Sequence, residues 1–299
     1  MSATDLLRLS YYGFTAASIA VVAATALYLT DVVWLSRARG PALTRQGPLA
    51  GWRPTATPST PTGRLASVVT VAGTVFAGLA VVLRAISTGR GPYSDMYEFS
   101  VAFVFAALVG YVLLERAYGT RAIGVIALPV VLGMVVYVWS LPADVREDRG
   151  LIPALASKPI LTAHVSSAIV AYSAFALSFA AAMLYLVVDR WPRPWLPSTE
   201  LLDDAAFRAV TVGFPAQAML LILGSLWAHE AWGSYWSWDP KETAALFTWL
   251  VYGAYLHTRS LRGWRGRRSA VFLAVSFATV VFTYYGNYWF GGMHAYSGM

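Results

Sequence analysis

The stretch Trp227-Ala-His-Glu-Ala-Trp-Gly-Ser-Tyr-Trp-Ser-Trp-Asp-Pro-Lys-Glu242 separates two apolar runs, at about 208–228 and 241–261. Each run is long enough for one helical crossing of a bilayer, whose ~30 Å hydrocarbon core takes roughly 20 apolar residues. The stretch also carries a helix start. Asp239 suits an N-cap, Pro240 the first helical position, and Glu242 falls at the third, as in a capping box. It therefore reads as the end of one span, an aromatic turn outside the hydrocarbon, and a further span that begins firmly at Pro240. Only helices cross lipid as an open chain, because only they satisfy their own backbone there.

Six more apolar segments lie around this pair. The eight expected spans are about 9–34, 65–86, 97–117, 121–141, 161–189, 208–228, 241–261 and 269–290. The first lacks a basic leader and is too long for a cleaved signal peptide, so it counts as a span. Composition agrees: the 299 residues are 58% hydrophobic and 12% charged, about half the charge of an ordinary soluble domain. The fold class expected is an all-α integral membrane protein. Residues 1–64 supply the first span and a Pro-, Thr- and Arg-rich cytoplasmic loop, and residues 65–299 form a seven-helix membrane domain. No internal repeat of the kind found in many transporters is evident.

The net charge of +7 would raise the question of nucleic acid in a soluble chain, but here the basic residues cluster in alternate gaps between spans. Arg37, Arg39, Arg45, Arg53 and Arg64 follow the first span, and Arg259, Arg262, Arg265, Arg267 and Arg268 precede the last. Arg116, Arg121, Arg190, Arg193 and Arg208 fall between them on the same side. The positive-inside bias makes these loops cytoplasmic, which leaves both termini and the segment 229–242 outside. No nucleic-acid partner is expected. The chain has no cysteine, so it offers neither a thiolate nucleophile nor a covalent thioether link to any cofactor.

Five large aromatics, Trp227, Trp232, Tyr235, Trp236 and Trp238, crowd a dozen positions. One reading is an aromatic belt at the lipid headgroups. The other is a platform for a flat amphipathic ring, with aromatic faces below and a polar rim. His164 and His294 fall on the same outer level, either as ordinary interfacial residues or as ligands. His257 lies 17 residues past Pro240, about 26 Å down the helix, where an ionisable group marks a functional site unless it is hydrogen-bonded to a neighbouring helix. Gly253, one turn earlier, leaves room beside it. His229 and Glu230 either line a pocket or sit plainly at the interface. Arg146, Arg149, Lys158 and Lys241 are all available to acidic groups of a ligand. Gly91-Pro-Tyr-Ser-Asp-Met-Tyr-Glu98 reads as a turn and helix cap.

Trp232-Gly-Ser-Tyr-Trp-Ser-Trp-Asp239, Pro240-Lys-Glu242 and Tyr255-Leu-His-Thr-Arg259 closely resemble the CcsA/ResC family of system II cytochrome c biogenesis proteins, which carry the tryptophan-rich WWD haem-handling segment. Leu161-Thr-Ala-His-Val165 and Gly292-Met-His-Ala-Tyr296 match two further signatures, and span number and orientation agree over nearly the whole chain. The resemblance implies that His164 and His294 are axial ligands to a non-covalent haem b. The aromatic segment, with Asp239, would hold the ring. His257 would be one ligand of an inner haem site completed by a ResB/CcsB-like partner. The family often has Asn where His229 stands and Ser where Ala295 stands, so it gives His229 no role.

The function implied is export or presentation of haem, and its covalent attachment to the Cys-x-x-Cys-His motif of apocytochrome c, at the outer face of the plasma membrane. A thioredoxin-like protein would keep the substrate thiols reduced. Two rivals stand beside this: a CcmC-type protein that passes haem to a chaperone, and a dihaem cytochrome b subunit. The second normally needs paired buried histidines on facing helices.

Overall fold

The computed structural model describes residues 2–37, 60–91, 93, 95–142, 159–193, 195–285 and 291–294. Among them all regular structure is helical: α1 (Ala3–Arg37), α2 (Pro61–Thr88), α3 (Met96–Tyr118), α4 (Gly124–Ser140), α5 (Pro159–Arg190), α6 (Thr199–Trp232), α7 (Pro240–Leu261) and α8 (Arg267–Tyr285). Six of these, α1, α2, α3, α5, α6 and α8, are long and apolar enough to cross a membrane. The expected segment at 121–141 is a helix of 17 residues, shorter than the other apolar ones. α7 has 22 residues, but Trp249, Tyr252, Tyr255 and His257 dilute its hydropathy.

Several helices run past their expected ends by up to nine residues, because caps rather than hydropathy stop them, whereas α4 falls inside its expected bounds. Thr60 accepts a hydrogen bond from the N–H of Gly63 at 2.8 Å and is followed by Pro61, which fits the first helical position. Ser198 caps α6 through Leu201 N–H at 3.3 Å, so that the helix starts nine residues before its apolar run. The end expected for the last span, 286–290, and most of the loop 36–64 lie outside the described residues.

Helix α5 sits at the centre and packs against α6, α8, α3 and α4. Its buried face is mostly alanine, with Ala168, Ala171, Ala176, Ala180 and Ala181 all inside. Small side chains let backbones approach closely, which is how helices associate when lipid gives no hydrophobic drive. α6 answers with a stripe of Gly213, Gln217, Leu220 and Gly224, spaced at four, three and four residues. The Phe175 ring lies where a Gly213 side chain would stand, 2.6 Å from an ideal Cβ.

Polar ties pin the ends. Arg259 on α7 forms a bidentate pair with Asp203 on α6, at 2.9 and 2.8 Å. Near the far end of α3, the hydroxyls of Tyr28 and Tyr111 both donate to Glu115 Oε2 at 2.7 Å. The outward faces are apolar: Val68, Val75, Leu79, Val82 and Ile86 on α2 and Val212, Met219, Ile222 and Leu226 on α6 are all exposed. Apolar stripes of that length do not face water, so lipid is their solvent and the chain is a multi-pass membrane protein.

Candidate functional site

The C-terminal end of α6 reaches further than expected. Its last turns carry Trp227, His229, Glu230 and Trp232, so these four stand on a helix and not in a loop. An exposed His-Glu pair at a helix end is no obstacle to a helix, and the stop comes at Gly233. That residue takes the left-handed conformation (φ 76°) and donates its N–H to the His229 carbonyl at 2.9 Å. The remaining aromatics, Tyr235, Trp236 and Trp238, form the link to α7.

The start of α7 is as read from the sequence. The Asp239 carboxylate accepts from Lys241 N–H at 2.9 Å, while Glu242 Oε2 accepts from the backbone N–H groups of Asp239 and Ser237 at 3.3 and 2.9 Å. Asp239 does more than cap. It also accepts from Met293 N–H at 2.7 Å and sits 2.9 Å from His294 Nδ1, which ties the C-terminal segment to the helix. Its other oxygen lies against Gly292 where any side chain would stand. Burial pushes the Asp239 carboxyl up, but the His294 ring and the two N–H donors outweigh it and hold it at about 2.

His164 projects from the first turns of α5. Its Nδ1 is 2.8 Å from the Leu220 carbonyl, an acceptor only, so Nδ1 carries the hydrogen and the lone pair is on Nε2. The same logic applies to His294, whose Nδ1 faces a carboxylate. A ring nitrogen tied to a carbonyl or carboxylate, with the other available for a metal, is the usual build of an imidazole ligand. Gly224 makes the first arrangement fit, since an ideal Cβ there would lie 2.6 Å from His164 Cε1.

One indole neighbours both imidazoles. The Trp227 ring is near-parallel to His164 (centroids 6.1 Å apart, 12°) and 5.9 Å from His294, while Trp232 meets His294 edge-on at 5.0 Å. Together with Trp236, Lys241, Tyr172 and Tyr284, the two histidines and Trp227 wall one cavity, which Trp232 does not line. The Trp236 indole N–H is buried there without an acceptor among the described residues. Residues 130 apart in sequence, His164 and His294, thus meet at one space.

Other predicted residues stand elsewhere. Tyr235 and His229 stack on each other (4.1 Å, 8°) at the surface, and neither lines the cavity. Trp238 is 70% exposed and stands edge-on to Trp236, and Glu230 is exposed on α6. His257 faces out of the chain in an apolar stripe with Phe247, Leu250 and Leu261, and among the described residues it has no hydrogen-bond partner. The room expected beside Gly253 is filled: the Phe214 ring lies 3.3 Å from an ideal Cβ, stacked on Trp249. Arg146, Arg149, Lys158 and Ala295 lie outside the described residues.

Sequence reasoning missed the second wall. Tyr93, Asp95, Met96 and Phe99 line the cavity from the start of α3, the segment read as a turn and cap. Asp95 does cap α3 (Glu98 N–H, 2.7 Å), and burial together with Glu98 raises its carboxyl to about 6. Glu98 itself is buried between Arg84 and Arg90, at 2.8 and 2.9 Å, which clamps α3 to the end of α2. The signal was present: Arg84 and Arg90 are basic residues on the side the charge bias assigns outside.

The cytochrome C assembly protein family model matches residues 93–294. Among curated relatives, the cytochrome c biogenesis protein CcsA of Prochlorococcus marinus (strain MIT 9515) is 35% identical over 251 residues, covering 74% of this chain and 80% of that one. CcsA of Synechococcus sp. (strain CC9311) is 34% identical over 285 residues, covering 83% and 92%. The solved structure of cytochrome c heme lyase CcmF superposes with a TM-score of 0.67 over 95% of this chain at 15% identity, which shows a shared fold. This chain spans about half of that protein's length, 47%. By family match and by relatives over most of its length, this chain belongs to the CcsA-type cytochrome c assembly proteins.

Proposed function

We propose that this chain holds a non-covalent haem b, as cargo, in the cavity between α5, α6 and α7, and presents it to apocytochrome c. The carrying observation is that His164 and His294, from distant parts of the sequence, reach one tryptophan-walled space with their Nδ1 atoms engaged. The donor set fits the group. Two imidazoles give a six-coordinate, unreactive iron suited to holding and delivery, and large aromatics suit a flat macrocycle.

In this reading the eight helices all cross the membrane with both termini outside, and the cavity opens on the extracytoplasmic face of the plasma membrane. There the substrate presents Cys-x-x-Cys-His. Each thiol adds across a vinyl group, so that a C–S bond forms and the thiol hydrogen passes to the neighbouring vinyl carbon. No residue of the cavity need act as a catalytic acid or base; its residues hold and orient the ring. The chain would work as the CcsA/ResC-type subunit of a system II synthase, with a thioredoxin-like protein keeping the substrate thiols reduced.

His257 has a separate part. It stands on the outside of α7, so a second ligand for an inner haem would come from another chain, a ResB/CcsB-like partner. A dihaem cytochrome b design would instead pair histidines inside the bundle.

The test is the haem spectrum of the protein purified with and without its partner. A bis-imidazole spectrum weakened in His164→Ala and His294→Ala is expected, with a partner-dependent fraction lost in His257→Ala. Wild-type protein that carries no haem even with its partner, or variants with unchanged spectra, would end the ligand assignment.

A further inference from the structure

We propose that Lys241 is the anchor for the carboxylate edge of the ligand, so that this cavity selects an anionic macrocycle over a neutral one. The inference rests on the haem-binding reading above and assigns a group that reading leaves open.

Lys241 is the second residue of α7 and lines the cavity beside His164, His294 and Trp236. Its backbone N–H is committed to Asp239, but its ammonium has no hydrogen-bond or ion-pair partner among the described residues. A half-buried ammonium on an aromatic-walled cavity is a ready partner for an anion that enters it. The nearby carboxylates already hold other partners. Asp239 receives His294, Met293 N–H and Lys241 N–H. Glu242 is held by Ser237 and the Asp239 backbone, and Asp95 caps α3.

Among the described residues, two nearby cations are engaged. Arg84 and Arg90 both pair with the buried Glu98 and do not line the cavity. Two further features favour a ligand with acidic and apolar parts. Trp236 brings a buried indole N–H without an acceptor into the same wall. The rest of the lining is dominated by apolar groups such as Leu161, Val165, Ala168, Leu221 and Ala245, which suit the body of a ring and not its carboxylates.

The experiment is a spectral titration of full-length apoprotein in detergent with haemin and with haemin dimethyl ester, whose two carboxylates are blocked. Wild type should bind haemin about tenfold more tightly than the ester, the size of one charge-assisted contact. Lys241→Met should weaken haemin to the level of the ester and leave the ester unchanged, and Lys241→Arg should restore the preference. The comparison of the two ligands on wild type needs no variant, so poor folding of Lys241→Met leaves the question decidable. Equal wild-type affinity for both ligands, or a Lys241→Met loss shared equally by both, would overturn the anchor while the haem reading stands. Failure of wild type to bind either ligand would overturn both.

Discussion

A methyl group added at Gly224 would collide with the imidazole that the cavity is built around. The ideal Cβ stands 2.6 Å from His164 Cε1 and 2.9 Å from its Nδ1, well inside van der Waals contact. The ring cannot retreat while Nδ1 keeps the Leu220 carbonyl. Alanine is otherwise the better helix former by about 1 kcal/mol, so Gly224→Ala should leave the fold intact and move the histidine. It should weaken bound haem as far as His164→Ala does, with a melting temperature within a few degrees of wild type. Full haem occupancy in Gly224→Ala would mean that the ring tolerates another rotamer and that Gly224 sets no geometry. Here the limits of the sequence are plain. His164 and His294 were legible because motif and topology agree on them. Gly224 was not, because a glycine in an apolar run says nothing about which side chain leans on it. The same holds for Glu98: its charge is visible in the sequence, but not the two arginines folded over it.

Elements are started and stopped here by short-range signals, and the link between α6 and α7 is where those signals carry most. Gly233 ends one helix and the Asp239–Glu242 capping box starts the next, which leaves the seven residues 233–239 to turn the chain. Within them Trp238 takes φ 59°, a left-handed conformation that costs a bulky residue about 1–2 kcal/mol and that glycine adopts freely. Its ring is 70% exposed, so little packing offsets that strain in the isolated chain. Trp238→Gly should therefore raise stability by about 1 kcal/mol, or roughly 2–4 °C in a chain of this size. If the indole serves bound haem or an incoming substrate, the same variant should lose haem affinity or attachment yield while it melts later. A lower melting temperature would show that the exposed ring packs against something in the membrane. The capping box was legible from residue spacing alone. The nine-residue start of α6 before its apolar run was not, because hydropathy marks the hydrocarbon and a helix can extend on either side of it.

At the scale of the whole molecule the open question is which face the cavity meets, and the absence of cysteine makes it directly measurable. α6 is the best ruler. Its 34 residues span about 51 Å at 1.5 Å per residue, more than the ~30 Å hydrocarbon core, so its two ends belong to opposite faces. The cavity lies at its Trp232 end, and the Asp203–Arg259 pair ties α6 to α7 at the other. Charge sorts the same way: Arg190 and Arg193 precede α6, whereas the link 233–239 carries no basic residue. The positive-inside bias then puts the arginine end in the cytoplasm. Single cysteines placed at Ser2, Ser234, Arg193 and Arg265 test this without disturbing the bundle, since none of the four is buried. A membrane-impermeant maleimide on intact cells should label Ser2→Cys and Ser234→Cys, and label Arg193→Cys and Arg265→Cys only after permeabilisation. The inverse pattern would put the cavity in the cytoplasm, where no exported apocytochrome could meet it, and attachment at this site would have to be abandoned. Labelling of Arg193→Cys and Ser234→Cys from the same side would break the ruler itself. Helix count and burial would then have to be reconciled with an α6 that lies along the membrane, an arrangement that its buried stripe against α5 and its exposed apolar face on the other side both oppose.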